Sequence, residues 1–158
     1  MTATAPLDLL ADEGESAESK ESRMADLELR LQGLAASDER AELLLDYGTL
    51  LLDFQRKEDA WDAAWEAFEH FKTVENWELA VTSTDILVTA DQKDSLIALA
   101  HGIWLGITYP INPETTVAIL QHMVEESPVG SDTAAVAAVS AHFIADKRGA
   151  EGQAGENI

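Results

Sequence analysis

Apolar residues recur at helical spacing from Met24 to Ile144 in this chain, and nowhere do they alternate with polar ones as a half-buried strand requires. That pattern restricts the chain to an all-α fold of about seven short helices. The first covers about 24–36, with Leu27, Leu31 and Leu34 on one side. Ser37 caps a second over about 38–56, which carries Leu43, Leu44, Tyr47, Leu50, Leu51 and Phe54. A third, about 59–73, is the most clearly amphipathic. Trp61, Ala64, Trp65, Ala67, Phe68 and Phe71 share one half of its wheel, and Glu58, Asp62, Glu66 and Glu69 form a narrow stripe beside them. Asn76 caps a fourth, where Trp77, Ala80, Val81, Thr84, Leu87 and Val88 repeat at helical offsets. Asp91 is the expected cap of a fifth, about 92–108. Asn112-Pro113 is a strong start for a sixth that reaches about Glu126. Ser131 caps an alanine-rich seventh.

Short connections make consecutive helices antiparallel neighbours, so the architecture is a compact bundle or an array of helical hairpins. Ala64, Ala67, Phe68, Phe71, Trp77 and Ala80 sit at offsets broadly like one tetratricopeptide unit. A 34-residue step brings Gly102 opposite Phe68 but places Glu114, or Asp46 in the other direction, where a packing alanine belongs. No repeat family is established by that match. Helix five is apolar nearly all round, with Leu96, Ile97, Leu99, Ile103, Trp104, Leu105 and Ile107, and is expected at the centre of the bundle or inside an assembly. Gly102 and Gly106 would let another helix approach it closely. Residues 1–22 read as a disordered acidic tail with a Leu7-Asp8-Leu9-Leu10 patch, 23–148 as one helical domain, and 149–158 as a flexible C-terminal tail.

Acidic residues outnumber basic ones 30 to 10, for a net charge of −20, and most of the excess lies between the tails. Such a surface repels phosphate and anionic lipid, so neither direct nucleic-acid binding nor membrane binding is expected. The apolar segment 95–111 is too short and too acid-flanked for a comfortable span, and the N-terminus lacks a basic stretch leading into an apolar one; a cytoplasmic protein is expected. Absence of cysteine removes disulfides, thiolate metal ligands and a cysteine nucleophile together.

Candidate chemistry is sparse. No two of His70, His101, His122 and His142 stand three or four apart, and no acid precedes any of them by three, so paired-imidazole and Glu-x-x-His metal patterns are missing. Glu66–His70, His122–Glu125 and His142–Asp146 are instead expected to pair along their helices. His101, among apolar neighbours, is the histidine expected to be buried with a depressed pKa. Asp46 and Asp53 are the acids nearest the apolar face of helix two. There is no phosphate-cradling glycine loop and no Gly-x-Ser-x-Gly elbow.

These features favour a non-enzymatic protein–protein interaction module: an adaptor, assembly factor or chaperone-like accessory, with no cofactor and no metal. Its candidate face is Glu58, Asp62, Glu66 and Glu69 beside Trp61 and Trp65, suited to a partner with a basic surface. Close-packing faces on helices five and seven also suit a homodimer. One alternative is an acidic regulator competing with nucleic acid for a basic protein. Another is a small helical metal- or cofactor-binding protein using His101, His122 or His142.

Overall fold

A computed structural model of the chain describes residues 15–155; residues 1–14, with the Leu7–Leu10 patch, and 156–158 lie outside the described residues. Among the described residues there are seven helices and no strand: α1 (Ala17–Gly33), α2 (Asp38–Asp53), α3 (Lys57–Thr73), α4 (Trp77–Thr89), α5 (Ser95–Thr108), α6 (Pro113–Glu126) and α7 (Asp132–Gly155). Neighbours in sequence pack against one another, α5 and α6 the least.

The caps follow the sequence closely. Ser16, Ser37, Asn76, Asn112 and Ser131 each accept a backbone N–H from the first turn of the helix that follows. The ends are less obvious. α2 and α3 close through Gln55 and Glu75, left-handed residues with φ of 58° and 59°. Arg56 N–H donates to Leu51 O at 2.8 Å and Asn76 N–H to Phe71 O at 2.9 Å, the long bond of a Schellman end.

Asp91 has the same conformation, with φ of 50°, so it terminates α4 rather than starting α5. Ser95 supplies the missing long bond: its Oγ accepts from Gln92 N–H at 2.8 Å and donates to Leu87 O at 3.2 Å. The N-cap of α5 is therefore Asp94, and its side chain caps nothing.

Two boundaries move outward. α1 begins at Ala17, inside the segment expected to be a tail. Its first turns are polar all round and are held by ions instead of an apolar stripe: Lys20 Nζ lies 2.9 Å from Asp53 Oδ2, and Arg23 2.6 Å from Glu15. α7 continues to Gly155, into the segment expected to be a flexible tail.

α4 is the centre of the fold. It packs against α2, α3, α5 and α6, and buries Ala80, Val81, Ser83, Thr84, Ile86, Leu87 and Val88. The core around it holds Leu50, Leu51, Phe68, Phe71, Leu87, Leu99, Leu105 and Leu120. Each such side chain contributes roughly 1.5–3 kcal/mol by leaving water, against less than about 1 kcal/mol for an exposed ion pair, so burial sets the arrangement. Arg40 joins three helices at the other end. Its guanidinium donates to Leu31 O at 2.7 Å and Leu34 O at 3.1 Å, capping α1, while Nε reaches Glu66 Oε1 on α3 at 2.6 Å.

The expectation that helix five lies at the centre is corrected. α5 buries only Ser95, Ala98, Leu99, Gly102, Leu105 and Gly106. A β-carbon on Gly102 would stand 2.5 Å from Thr84 Oγ1 of α4, and one on Gly106 2.5 Å from Thr116 Cγ2 of α6. The two glycines are thus filled within the fold, by two different helices, and do not form a free seam for a second copy. Leu99 and Leu105 complete the buried face, and the opposite face carries its large side chains to solvent. Leu96, Ile97, Trp104 and Ile107 are exposed, Trp104 by 57% and Ile97 by 56%.

Gly106→Ala is therefore expected to lower stability by roughly 1–3 kcal/mol, the usual cost of overpacking. Adding Thr116→Ser, which removes the obstructing methyl, recovers part of that loss. Thermal denaturation of the single and double variants measures both.

Candidate functional site

The aromatic helix and the apolar helix meet across a groove. α3 and α5 both pack on α4, and their own backbones stay more than 8 Å apart. Their first turns flank an opening of about 480 Å3 lined by Trp61, Asp62, Trp65, Glu66, Asp94 and Ile97. Four of these belong to the face expected from sequence; Asp94 and Ile97 were not foreseen. The reason is that the sequence shows Asp94 only as an acid flanking the apolar segment and Ile97 only as part of a helix apolar nearly all round, and which helix either one faces depends on the orientation of α5.

A ladder of rings runs along the groove. Trp61 and Trp65 stack at 6.0 Å with planes 11° apart. Trp65 meets Phe68 at 5.6 Å, and Phe68 meets His101 of α5 at 5.7 Å. Phe68 is buried, Trp61 half-buried and Trp65 exposed. His101 is half-buried against Phe68, not enclosed in the core as expected.

The acidic stripe divides in two. Glu66 is held by Arg40, and Glu69 by Lys72 at 2.8 Å, whose Nζ also lies 4.6 Å from the centre of the Phe68 ring. Among the described residues no lysine, arginine or histidine pairs with Glu58, Asp62 or Asp94. Glu58 does not line the groove; Asp62 and Asp94 do.

His70 and His122 make their shortest polar contacts across helices. His70 Nε2 lies 2.6 Å from Asp38 Oδ1, because Glu66, its expected partner, is taken by Arg40. His122 Nδ1 lies 2.8 Å from Asp85 Oδ1 on α4, and its Nε2 is 4.0 Å from Glu126. His142 lines a different groove, between α6 and α7. Asp53 takes Lys20, and Asp46 is exposed. Among the described residues no group of three or more His, Asp or Glu side chains is placed to hold a metal ion.

The pKa of His122 is displaced upward. The Asp85 hydrogen bond favours its protonated form, outweighing partial burial, and the charges of Asp85, Glu126 and Glu125 act in the same direction. Burial pushes the Asp85 carboxyl above the usual carboxylate range, against the pull of His122.

No helix among the described residues is long and apolar enough to cross a membrane. Comparison of the chain with protein-family models, with curated proteins and with solved structures finds no match.

The His122–Asp85 pair gives a signed expectation. Since the folded pKa of His122 lies above the ordinary imidazole value of about 6.5, its stabilisation is complete below that pH and is lost as pH rises through the folded value. In an NMR titration the His122 midpoint should lie above the ordinary value and fall on Asp85→Asn. A midpoint unmoved by the substitution would contradict the assignment.

Proposed function

We propose that this protein is a non-enzymatic protein–protein interaction module, an adaptor, assembly factor or chaperone-like accessory, acting through the outer face of α5 and the neighbouring groove on α3. The observation that carries the reading is the exposure of Leu96, Ile97, Trp104 and Ile107 on one helix. Isolated exposed apolar residues are ordinary, but several bulky ones on one helical face mark a surface that something covers. Trp65, 39% exposed, extends the same character to α3. Large aromatics flanked by polar groups are the anchors that dominate protein interfaces.

The charge favours a foreign partner over a second copy. Two chains of net −20 repel one another, whereas a basic surface is attracted. The glycines that would have let two copies of α5 pack closely are already occupied by Thr84 and Thr116.

The test compares wild-type protein with an Ile97→Ser/Trp104→Ser variant as baits in lysate of the source cell. Wild type is expected to retain a stoichiometric partner at low and moderate salt, and the variant to lose it at least tenfold. The variant's melting temperature should stay within a few degrees of wild type, because both side chains are already in water. Equal capture by both proteins, or none by wild type, overturns the reading.

A further inference from the structure

The groove between α3 and α5 contains a half-finished version of an arrangement that the chain completes one turn further on. Further along α3, Lys72 lies 4.6 Å from the centre of the Phe68 ring and pairs with Glu69 at 2.8 Å. Ring, cation and carboxylate are all supplied by α3. In the opening the ring is Trp65 and the carboxylates are Asp62 and Asp94, and among the described residues no lysine, arginine or histidine pairs with either.

From this we infer that the partner supplies the missing cation, and that it is an arginine next to an aliphatic residue. The inference rests on the interaction-module reading and names the chemistry of that partner. Three features point the same way. First, indole is the strongest cation–π acceptor among side chains, and Trp65 offers an exposed ring. Second, Asp62 and Asp94 reach the opening from different helices, so a planar guanidinium with several donors engages both where an ammonium is a single point charge. Third, Ile97, 56% exposed, lies on the wall opposite the tryptophans and receives an aliphatic neighbour.

Asp94 is free for this role for a local reason. It stands at the N-cap of α5, where an aspartate usually turns its carboxylate onto the first-turn amides, yet it caps nothing. Ser95 has taken over the closing of the α4–α5 turn through Gln92 and Leu87. Glu66, although it lines the same opening, is already bound to Arg40 and contributes little to a second cation.

The opening, about 480 Å3, holds a few side chains and not a whole helix. The partner therefore presents a short segment whose arginine enters between α3 and α5 while its flanks lie over the outer face of α5.

The test uses acetyl-Leu-Arg-Leu-amide as the probe, with the lysine and citrulline analogues, titrated into 15N-labelled full-length protein. The arginine peptide is expected to shift the Trp65 indole and the Asp62 and Asp94 amides with saturation in the millimolar range. The lysine analogue should bind at least twofold more weakly and the citrulline analogue at least fivefold. In Asp62→Asn/Asp94→Asn, affinity for the arginine peptide should fall at least fivefold with the melting temperature unchanged. Equal binding of arginine and citrulline peptides, shifts scattered over the acidic surface, or full affinity in the double variant overturns the inference. Such a result leaves the module reading standing wherever the Ile97/Trp104 variant still loses its partner; loss of that dependence is what removes the module reading.

Discussion

The orientation of α5 governs the functional half of this molecule. Its narrow edge, Ser95, Ala98, Gly102 and Gly106, lies against α4 and α6, and Thr84 and Thr116 fill the space that β-carbons would need. Packing is close there because the side chains are small, and interiors tolerate little extra volume. A helix has only one side to bury on a bundle. Once the glycine side is inward, Leu96, Ile97, Trp104 and Ile107 have nowhere to go but out. The same orientation carries Asp94 and Ile97 to the wall of the groove facing Trp61 and Trp65. Fold and candidate face are thus two results of one packing choice.

How far the chain could be read from its sequence depended on the type of signal. Apolar periodicity and capping residues revealed the helices, and Ser37, Asn76, Asn112 and Ser131 cap as expected. Where the physics was local but ambiguous, the reading slipped. Asp91 suits both a cap and a left-handed helix end, and tertiary packing chose the second. Gln55 and Glu75 end their helices without the glycine that usually marks such positions. The start of α1 was missed because polar, ion-paired turns carry no apolar stripe.

The site was legible in part for a related reason. Trp61, Trp65, Asp62 and Glu66 lie together on one helix, so helical geometry alone collected them. Ile97 and Asp94 come from another helix, and the partners of His70, His122, Glu66 and Tyr47 all lie across helix boundaries. Such pairs depend on which helices pack together. The most apolar helix was placed at the centre on hydrophobicity alone. In the structure α4 occupies that position, because α4 presents buried residues to four neighbours while α5 buries a single face, Leu99 and Leu105 with its small residues.

What results is a stable hub with its chemistry at the margin. The charged groups of the stripe that have internal partners are fixed in place. Asp62 of the stripe and Asp94 of α5, which pair with no lysine, arginine or histidine among the described residues, adjoin the tryptophans. The central claim is that α5 turns one face of large side chains, Leu96, Ile97, Trp104 and Ile107, to solvent, and hydroxyl-radical footprinting of the isolated protein tests it most directly. Trp104 is expected to be oxidised at a rate close to that of a tryptophan in an unfolded peptide, while Phe68 and Phe71 stay protected. Protection of Trp104 to the level of Phe68 would contradict the account.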